Sequence, residues 1–209
     1  MLILSTEQAS FGRIKITADS GLAFFIRTIY LKIVKDNELS EGALFEGDKE
    51  EDVINAGMIF QAERKAYDYL MRAEQSRFIL ERKLSSKNFD AKHISAALDY
   101  LEKNEILSDE RFARAWLNTR KASHSEGRSK LERELYTRGI SKYIAAAALD
   151  EFYSENSEAS LCLREYEKCK RLNKTYEQIV KRLISCGFAY KMIKNIMKNC
   201  KMQENPGLD

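Results

Sequence analysis

The acidic pair Asp109-Glu110 is a place in the sequence where neighbouring side chains could carry out acid–base chemistry. Two carboxylates can share proton transfer when the surroundings of one of them raise its pKa. The neighbouring residues favour a structural interpretation, because Ser108 is a good helix N-cap and the helix dipole stabilises carboxylates in a first turn. On this helix Phe112 and Trp116, four residues apart, are expected to form a buried ridge rather than a platform that stacks bases.

Nucleophilic and metal-binding residues are few and have no motif spacing. The chain contains two histidines, His93 and His124, and four cysteines, Cys162, Cys169, Cys186 and Cys200. No cysteines form a C-x-x-C pair, so we expect reduced side chains that pack as small apolar groups rather than a zinc site. Glycine-rich phosphate loops are absent as well. The sequence therefore predicts a protein that is not an enzyme and holds no metal or cofactor.

Composition places the chain among folded, charge-rich helical proteins. Of its 209 residues 44% are hydrophobic and 32% are charged, with one proline, which favours helix and argues against all-β, collagen-like or disordered chains. No run approaches the roughly 18 apolar residues of a membrane-spanning helix, and residues 1–8 do not resemble a signal peptide. We expect a cytoplasmic protein without membrane contact.

The net charge of +3 is distributed unevenly along the chain. Residues 1–57 carry a net charge of −4, whereas residues 161–202 contain 11 Lys and Arg against 3 Asp and Glu, which is +8. This positive charge suggests an anionic partner, either nucleic acid or an acidic protein groove. The alternative is an ordinary lysine-rich pair of solvated helices.

The N-terminal residues differ in pattern from the rest of the chain. Alternating polarity over residues 13–17, turn residues at 19–21 and a β-branched and aromatic run over 24–31 predict a small β-hairpin. Residues 36–52 are acidic and interrupted by glycine, which predicts an irregular linker. Helical patterns extend from about Val53 to residue 202.

Three segments of 26 residues, 76–101, 127–152 and 175–200, align without a gap. Each begins at a residue that can cap a helix, and the thirteenth residue tolerates the left-handed conformation that ends one. The first residues are Ser76, Gly127 and Thr175, and the stop residues are Asn88, Gly139 and Gly187. Apolar residues at helical spacing lie on both sides of the stop, which predicts two helices in each segment.

One more helical stretch precedes each segment, so the repeating unit has three helices and about fifty residues. The predicted fold class is all-α, with three tandem three-helix repeats forming an elongated curved array and a small N-terminal β-hairpin. We assign residues 1–57 to an N-terminal extension with the hairpin and acidic linker, 58–104 to repeat 1, 105–155 to repeat 2, 156–202 to repeat 3 and 203–209 to a tail.

Three stretches of the helical part resemble the RecX family, bacterial proteins that regulate the RecA recombinase. They are AYDYLMRAEQSRFILERKLSSKNF at 66–89, ALDYLEKNEILSDERFARAW at 97–116 and RSKLERELYTRGI at 128–140. The most specific part is ILSDERFAR at 106–114, and the resemblance covers about residues 58–200. It is weakest in the third repeat, and Asn88 stands where the family more often has glycine.

The resemblance implies a regulator without a catalytic site that binds RecA and lies along the helical groove of the RecA–DNA filament. ATP hydrolysis, strand exchange and stimulated repressor cleavage would fall, which implies roles in DNA repair, recombination control and the SOS response. Direct DNA contact and the choice between filament capping and disassembly stay open, and we expect a monomer. The basic C-terminal segment supports a second interpretation, a general helical nucleic-acid-binding module.

Basic residues on the predicted exposed helix faces are the candidates for contact with RecA. They are Arg77, Arg82, Lys83, Lys87, Arg111, Arg114, Arg120, Arg128, Arg133, Arg138, Lys174, Lys181, Arg182 and Lys191. For Arg111 an ion pair within its own repeat is an alternative.

Overall fold

The computed structural model describes residues 1–9 and 12–204, except for the side chains of residues 122, 123 and 201–204. Of the predicted tail at 203–209, residues 205–209 lie outside the described part. Two compact units divide the chain after Ser108. The repeat boundaries at 58, 105 and 156 and the curvature of the array stay predictions.

The described residues form three β-strands and nine α-helices. The strands are β1 (Ile3–Ala9), β2 (Arg13–Ala18) and β3 (Ala23–Arg27). The helices of the first unit are α1 (Asp48–Leu70), α2 (Arg77–Ser85) and α3 (Ala91–Lys103). Those of the second unit are α4 (Asp109–Ser123), α5 (Arg128–Tyr136), α6 (Lys142–Glu155), α7 (Glu158–Arg171), α8 (Tyr176–Ser185) and α9 (Tyr190–Glu204). The all-α class with a small N-terminal β element is confirmed.

The N-terminal sheet is antiparallel in the order β1-β2-β3. The predicted hairpin is formed by β2 and β3, and its turn contains Gly21 at a φ of 78°. Strand β1 was not predicted, because its sequence ILSTEQA lacks a continuous alternation of apolar and polar residues. Residues 28–30, expected in the second strand of the hairpin, form a 3-10 turn instead.

Helix α1 begins earlier than the sequence indicated, and residues 48–52 of the predicted linker are its first turn. Gly47 precedes it at a φ of 55°, and the helix dipole stabilises the acidic residues that follow. The carboxylate of Asp52 accepts hydrogen bonds from the backbone N–H groups of Lys32, Ile33 and Val34 at 2.8–3.0 Å. Asp52 therefore joins α1 to the chain that leaves the sheet.

A buried ion pair provides a second connection between the sheet and α1. The guanidinium of Arg27 donates two hydrogen bonds to the carboxylate of Glu63, at 2.7 Å and 2.6 Å. The hydroxyl of Tyr30 donates a third to Glu63 at 2.7 Å, and the ring of Tyr100 lies 4.6 Å from the Arg27 guanidinium. Around this group the inner face of the sheet packs on α1 and α3 in one hydrophobic cluster that includes Ile16, Ile26, Phe60 and Ala97.

The Asp52 carboxylate should make the first unit sensitive to acid. Burial disfavours its charged form, but the three backbone donors outweigh burial and hold the pKa of Asp52 below its ordinary value. Its contribution to stability is complete above the unfolded pKa of about 4 and disappears as the pH falls through the lower folded pKa. We expect Asp52→Asn to reduce the urea midpoint more at pH 7 than at pH 3. An equal reduction at both values would contradict this assignment.

The predicted start and stop signals of the helices are confirmed. Ser76 accepts a hydrogen bond from the N–H of Ile79, and Thr175 forms a capping box with Gln178. The stop residues Asn88, Gly139 and Gly187 have φ values of 63°, 80° and 89°. The repeated leucines Leu84, Leu135 and Leu183 are fully buried. Local signals and apolar stripes therefore agree in all three helix trios, α1–α3, α4–α6 and α7–α9.

The cysteines pack as predicted. All four are free, and Cys162, Cys169 and Cys186 are buried among Ile179, Leu183 and other apolar residues of α7–α9. Burial raises the pKa of the Cys162 thiol to about 12, so this thiol is protonated at neutral pH. Within the described residues, no helix is both long and apolar enough to cross a membrane.

A very close backbone contact joins the two helix trios of the second unit. The N–H of Gly127, before α5, donates to the carbonyl of Cys186 at 2.8 Å, and the hydroxyl of Ser129 donates to the carbonyl of Gly187 at 2.7 Å. A Cβ atom on Gly127 would lie 2.4 Å from the Gly187 oxygen. The glycine at 127 is therefore required by space at the contact as well as being acceptable before a helix.

Candidate partner-binding surface

Arg77 at the start of α2 is occupied by contacts within the first unit. Its guanidinium pairs with Glu81 at 3.0 Å, Asp99 at 2.8 Å and Glu102 at 2.6 Å, and its side chain is 24% exposed. The last two carboxylates belong to α3, so Arg77 holds α2 and α3 together. A residue expected to face a partner therefore stabilises its own repeat.

The other candidates of the first unit are more available to solvent. The guanidinium of Arg82 lies 5.8 Å from the Phe78 ring, and both side chains are exposed. The ammonium of Lys83 donates to Gln75 at 2.7 Å and is half-buried. Lys87 at the end of α2 is exposed.

Candidates on α4 and α5 are mostly engaged in ion pairs or ring contacts. Arg120 binds both carboxylate oxygens of Glu126, at 2.9 Å and 2.6 Å. The guanidinium of Arg138 lies 4.5 Å from the Trp116 ring and that of Arg120 lies 5.6 Å from it. Phe112 is buried as predicted, whereas Trp116 is half-buried, because the two guanidinium groups cover part of its ring.

The remaining candidates of the second unit divide into paired and exposed side chains. Arg114 pairs with Glu151 at 2.7 Å, Arg128 with Asp150 at 2.7 Å and Arg182 with Glu165 at 2.8 Å. The Nε of Arg133 donates to the backbone carbonyl of Ser129 at 3.2 Å. Lys181 and Lys191 are exposed on α8 and α9.

Half of the candidates are only partly exposed. The half-buried ones are Arg77, Lys83, Arg111, Arg120, Arg128, Arg138 and Lys174. Long basic side chains bury their aliphatic stems and find carboxylates, carbonyls or rings on the next helix. Contact of any candidate with a partner stays a prediction.

The structure brings some of these cations together in an open cavity of about 490 Å³ within the second unit. It lies between the end of α4, the following loop, α5, α7 and α8. Its lining comprises Arg120, His124, Ser125, Glu126, Lys130, Arg164, Glu165, Lys168, Arg171, Arg182 and Cys186. Six of these side chains are cationic and two are anionic, so the cavity is a concentrated positive surface.

The two carboxylates of this basic cavity hold its walls in place. Glu126 is 4% exposed and binds Arg120 and, at 2.7 Å, Lys130. Burial would raise the pKa of Glu126, but hydrogen bonds from Arg120 and Lys130 hold it below its ordinary value. Glu165, also buried, accepts from Arg182. Each acid is therefore paired with at least one cation of the wall.

Sequence reasoning missed three basic residues of the cavity, Arg164, Lys168 and Arg171 on α7. Their spacing of i, i+4 and i+7 places them on one face of the helix, and this signal was present in the sequence. The convergence of α7 with Arg120, from α4, could not be predicted from spacing alone.

The cavity is suited to bind anions rather than to catalyse a reaction. Its thiol, Cys186, has a pKa raised by burial and is therefore a poor nucleophile at neutral pH. Asp109 and Glu110 lie in the first turn of α4, as the structural interpretation predicted. His93 is buried in α3 with its Nε2 2.8 Å from the Asn55 side-chain oxygen. In the part of the chain that the structure describes, no three acidic, histidine or cysteine side chains are grouped to hold a metal.

Comparison with known proteins links this architecture to one family. The family described as RecX, second three-helix domain, matches residues 108–149, from the start of α4 into α6. A crystal structure of regulatory protein RecX has the same fold, with a TM-score of 0.72 at 21% identity over 93% of this chain and 98% of the other. A crystal structure of RecX from Lactobacillus salivarius has a TM-score of 0.61 at 23% identity over 69% of this chain and 97% of the other.

Two similar sequences carry the same name. The regulatory protein RecX of Treponema pallidum (strain Nichols) is 38% identical over 112 residues, which are 54% of this chain and 68% of that protein. The regulatory protein RecX of Clostridioides difficile (strain 630) is 28% identical over 202 residues, which are 93% of this chain and 92% of that protein. From the repeated helix trios, the matching domain and these relatives, we conclude that the chain belongs to the RecX family of regulatory proteins.

Proposed function

We propose that this protein binds the RecA recombinase and its filament on DNA and inhibits ATP hydrolysis, strand exchange and coprotease activity. Membership in a family of proteins named as RecX regulators carries the proposal. The basic cavity of the second unit supports it, because a RecA–DNA filament presents acidic protein surface and DNA phosphates to a ligand in its groove.

The protein acts by binding and does not catalyse a reaction. It is a cytoplasmic monomer that takes part in the control of DNA repair, recombination and the SOS response. Three three-helix repeats with the proposed boundaries form a curved array that follows the filament groove. The exposed cations Arg133, Lys181 and Lys191 contact the partner together with Arg114, which is exposed although it also pairs with Glu151. The other carboxylate-bound cations hold the repeats in shape. Electrostatic attraction between the surfaces increases the association rate and orients the encounter.

Purified protein, added well below the RecA concentration to a reaction on single-stranded DNA, is expected to reduce ATP hydrolysis and strand exchange. A filament regulator acts on many RecA subunits at once, which explains why an effect is expected at a low ratio of this protein to RecA. The reaction is followed as hydrolysis rate and as joint-molecule yield. Unchanged rates at every ratio would reject the proposal.

Charge-reversed variants locate the contact. Arg114→Glu with Arg133→Glu tests the second trio, and Lys181→Glu with Lys191→Glu tests the third. Arg82→Glu with Lys87→Glu on the first trio is the matched comparison, since each variant reverses two largely exposed charges. We expect at least one second-unit variant to lose inhibition and RecA pull-down. Equal retention by all three would exclude these faces as the contact.

A general nucleic-acid-binding module is the second candidate function, favoured by the positive charge of the cavity. It predicts DNA binding without RecA and a steep dependence of the binding constant on salt. The two functions can be distinguished on DNA that is already saturated with this protein. If RecA is still inhibited there, the result would favour the RecA regulator over the nucleic-acid-binding module.

A further inference from the structure

The basic cavity has more positive charge than its own carboxylates balance. Glu126 is bound by Arg120 and Lys130, and Glu165 is bound by Arg182. Neither carboxylate of the cavity neutralises the three cations of α7. Within the described residues Arg164, Lys168 and Arg171 form no ion pair with a carboxylate, although all three line the cavity.

Neutral groups position one of these cations towards the loop that precedes α5. The guanidinium of Arg164 donates to the hydroxyl of Ser125 at 2.8 Å and to the backbone carbonyl of His124 at 3.2 Å. These contacts orient the guanidinium without neutralising it. Lys168 and Arg171 follow at i+4 and i+7 and are exposed on the same helix.

Like charges held close together in a concave site repel one another, and an anion relieves that repulsion. Guanidinium groups are planar and bind phosphate through two parallel hydrogen bonds, so arginine-rich sites favour phosphate. No Phe, Tyr or Trp ring is among the described lining residues, His124 contributes its one imidazole ring, and Cys186 is the main apolar contribution. With six cationic side chains and one imidazole, the lining favours contact with the phosphates of a nucleic-acid backbone over base stacking.

We propose that this cavity binds phosphate groups of a nucleic-acid backbone directly, without regard to base sequence. The inference deepens the proposed function, on which it rests for the DNA of the partner filament. The two can fail separately, because the test below contains no recombinase. An acidic polypeptide is the competing ligand, and the polar lining disfavours it because peptide binding gains from apolar contacts.

The test measures binding of the full chain to a fluorescent single-stranded oligonucleotide by anisotropy over a range of salt concentrations. We compare the protein with the variant Arg164→Ala, Lys168→Ala, Arg171→Ala. If each cation neutralises one phosphate, the slope of log K against log salt decreases in magnitude by about 2 for single strands. Affinity at low salt is expected to fall about tenfold or more. An unchanged slope and affinity would overturn the proposal.

The control variant Lys142→Ala, Lys194→Ala, Lys198→Ala removes three exposed charges of the same unit outside the cavity lining. It should retain most of the affinity and slope, and an equal loss would show that net charge rather than the cavity binds DNA. Competition with polyglutamate and with inorganic phosphate, each at matched ionic strength, identifies the ligand. Displacement of DNA by inorganic phosphate beyond a chloride control is expected for a phosphate site, whereas displacement by polyglutamate would overturn the assignment to nucleic acid.

Circular dichroism and thermal melting report on folding of the variants. If Arg164→Ala disturbs the loop before α5, the double variant Lys168→Ala, Arg171→Ala keeps the proposal testable, because both side chains are exposed. The double variant is expected to reduce the slope by about 1.4. Retention of the full slope by a folded double variant would overturn the proposal.

Discussion

Gly127→Ala is expected to destabilise the second unit by about 3 kcal/mol or more, which is large for the addition of one methyl group. The new Cβ would lie 2.4 Å from the oxygen and 2.5 Å from the carbon of Gly187, and 2.6 Å from the nitrogen of Phe188. All three are backbone atoms, so no side-chain rotation relieves the clash. The contact between α5 and the α8–α9 connection must open, which would also break the hydrogen bond from Gly127 to Cys186.

Urea unfolding of the full chain, followed by far-ultraviolet circular dichroism, measures this loss. Gly42→Ala is a demanding control, because Gly42 has a φ of 81° but an added Cβ there meets nothing within 4 Å. Its cost is the backbone strain of a left-handed alanine, about 1 kcal/mol. Gly127 has an ordinary φ of −84°, so the stability lost in Gly127→Ala measures steric overlap without backbone strain. If Gly127→Ala costs no more than the control, the close contact does not exist in solution.

Glu63→Gln should cost the first unit about 3 kcal/mol, because it leaves the Arg27 guanidinium charged and without its carboxylate in a buried site. The side chains of Glu63 and Arg27 are 6% and 12% exposed, so water cannot replace the lost partner. The glutamine also keeps only part of the hydrogen bonding to Arg27 and Tyr30. We expect the sheet to separate from α1 at lower urea concentration than in the unmodified protein.

Hydrogen exchange of β2 and β3 amides, together with the urea midpoint, tests this expectation. Glu38→Gln is the control, since Glu38 pairs with Lys49 at the surface of the same unit. Exposed pairs contribute little to stability, so this variant should keep the normal midpoint. The double variant Arg27→Met, Glu63→Leu removes both charges and is expected to recover much of the loss. A persistent loss in the double variant would show that packing, rather than the unpaired charge, is responsible.

The helical architecture was predictable because its signals are local. Side-chain caps at Ser76 and Thr175 and left-handed residues at Asn88 and Gly187 act within one helical turn, and each occurred where the sequence indicated. Apolar stripes were equally informative, since 3.6-residue spacing defines one buried face. Strand β1 was missed because its apolar residues do not alternate and its position depends on pairing with β2.

For the candidate surface, only the positive charge was predictable from the sequence. The excess of lysine and arginine after residue 160 indicated an anionic partner, and the basic cavity lies partly in that segment. Individual residues were less certain, since Arg77 and Arg120 are bound by carboxylates of the same unit. Arg164, Lys168 and Arg171 were not among the candidates, because the apolar spacing of α7 predicts its buried face but not which helices converge on its basic face.

The sequence alone determined the order of the helices, most of their ends, the identity of the family and the excess of positive charge after residue 160. These properties follow from residues at most a few turns apart, so spacing is sufficient to read them. Only the tertiary structure decided that Glu63 binds Arg27, that Gly127 lies against Gly187, and which cations line one cavity. Such contacts join residues 36 to 60 positions apart, and long-range packing rather than local propensity selects among them.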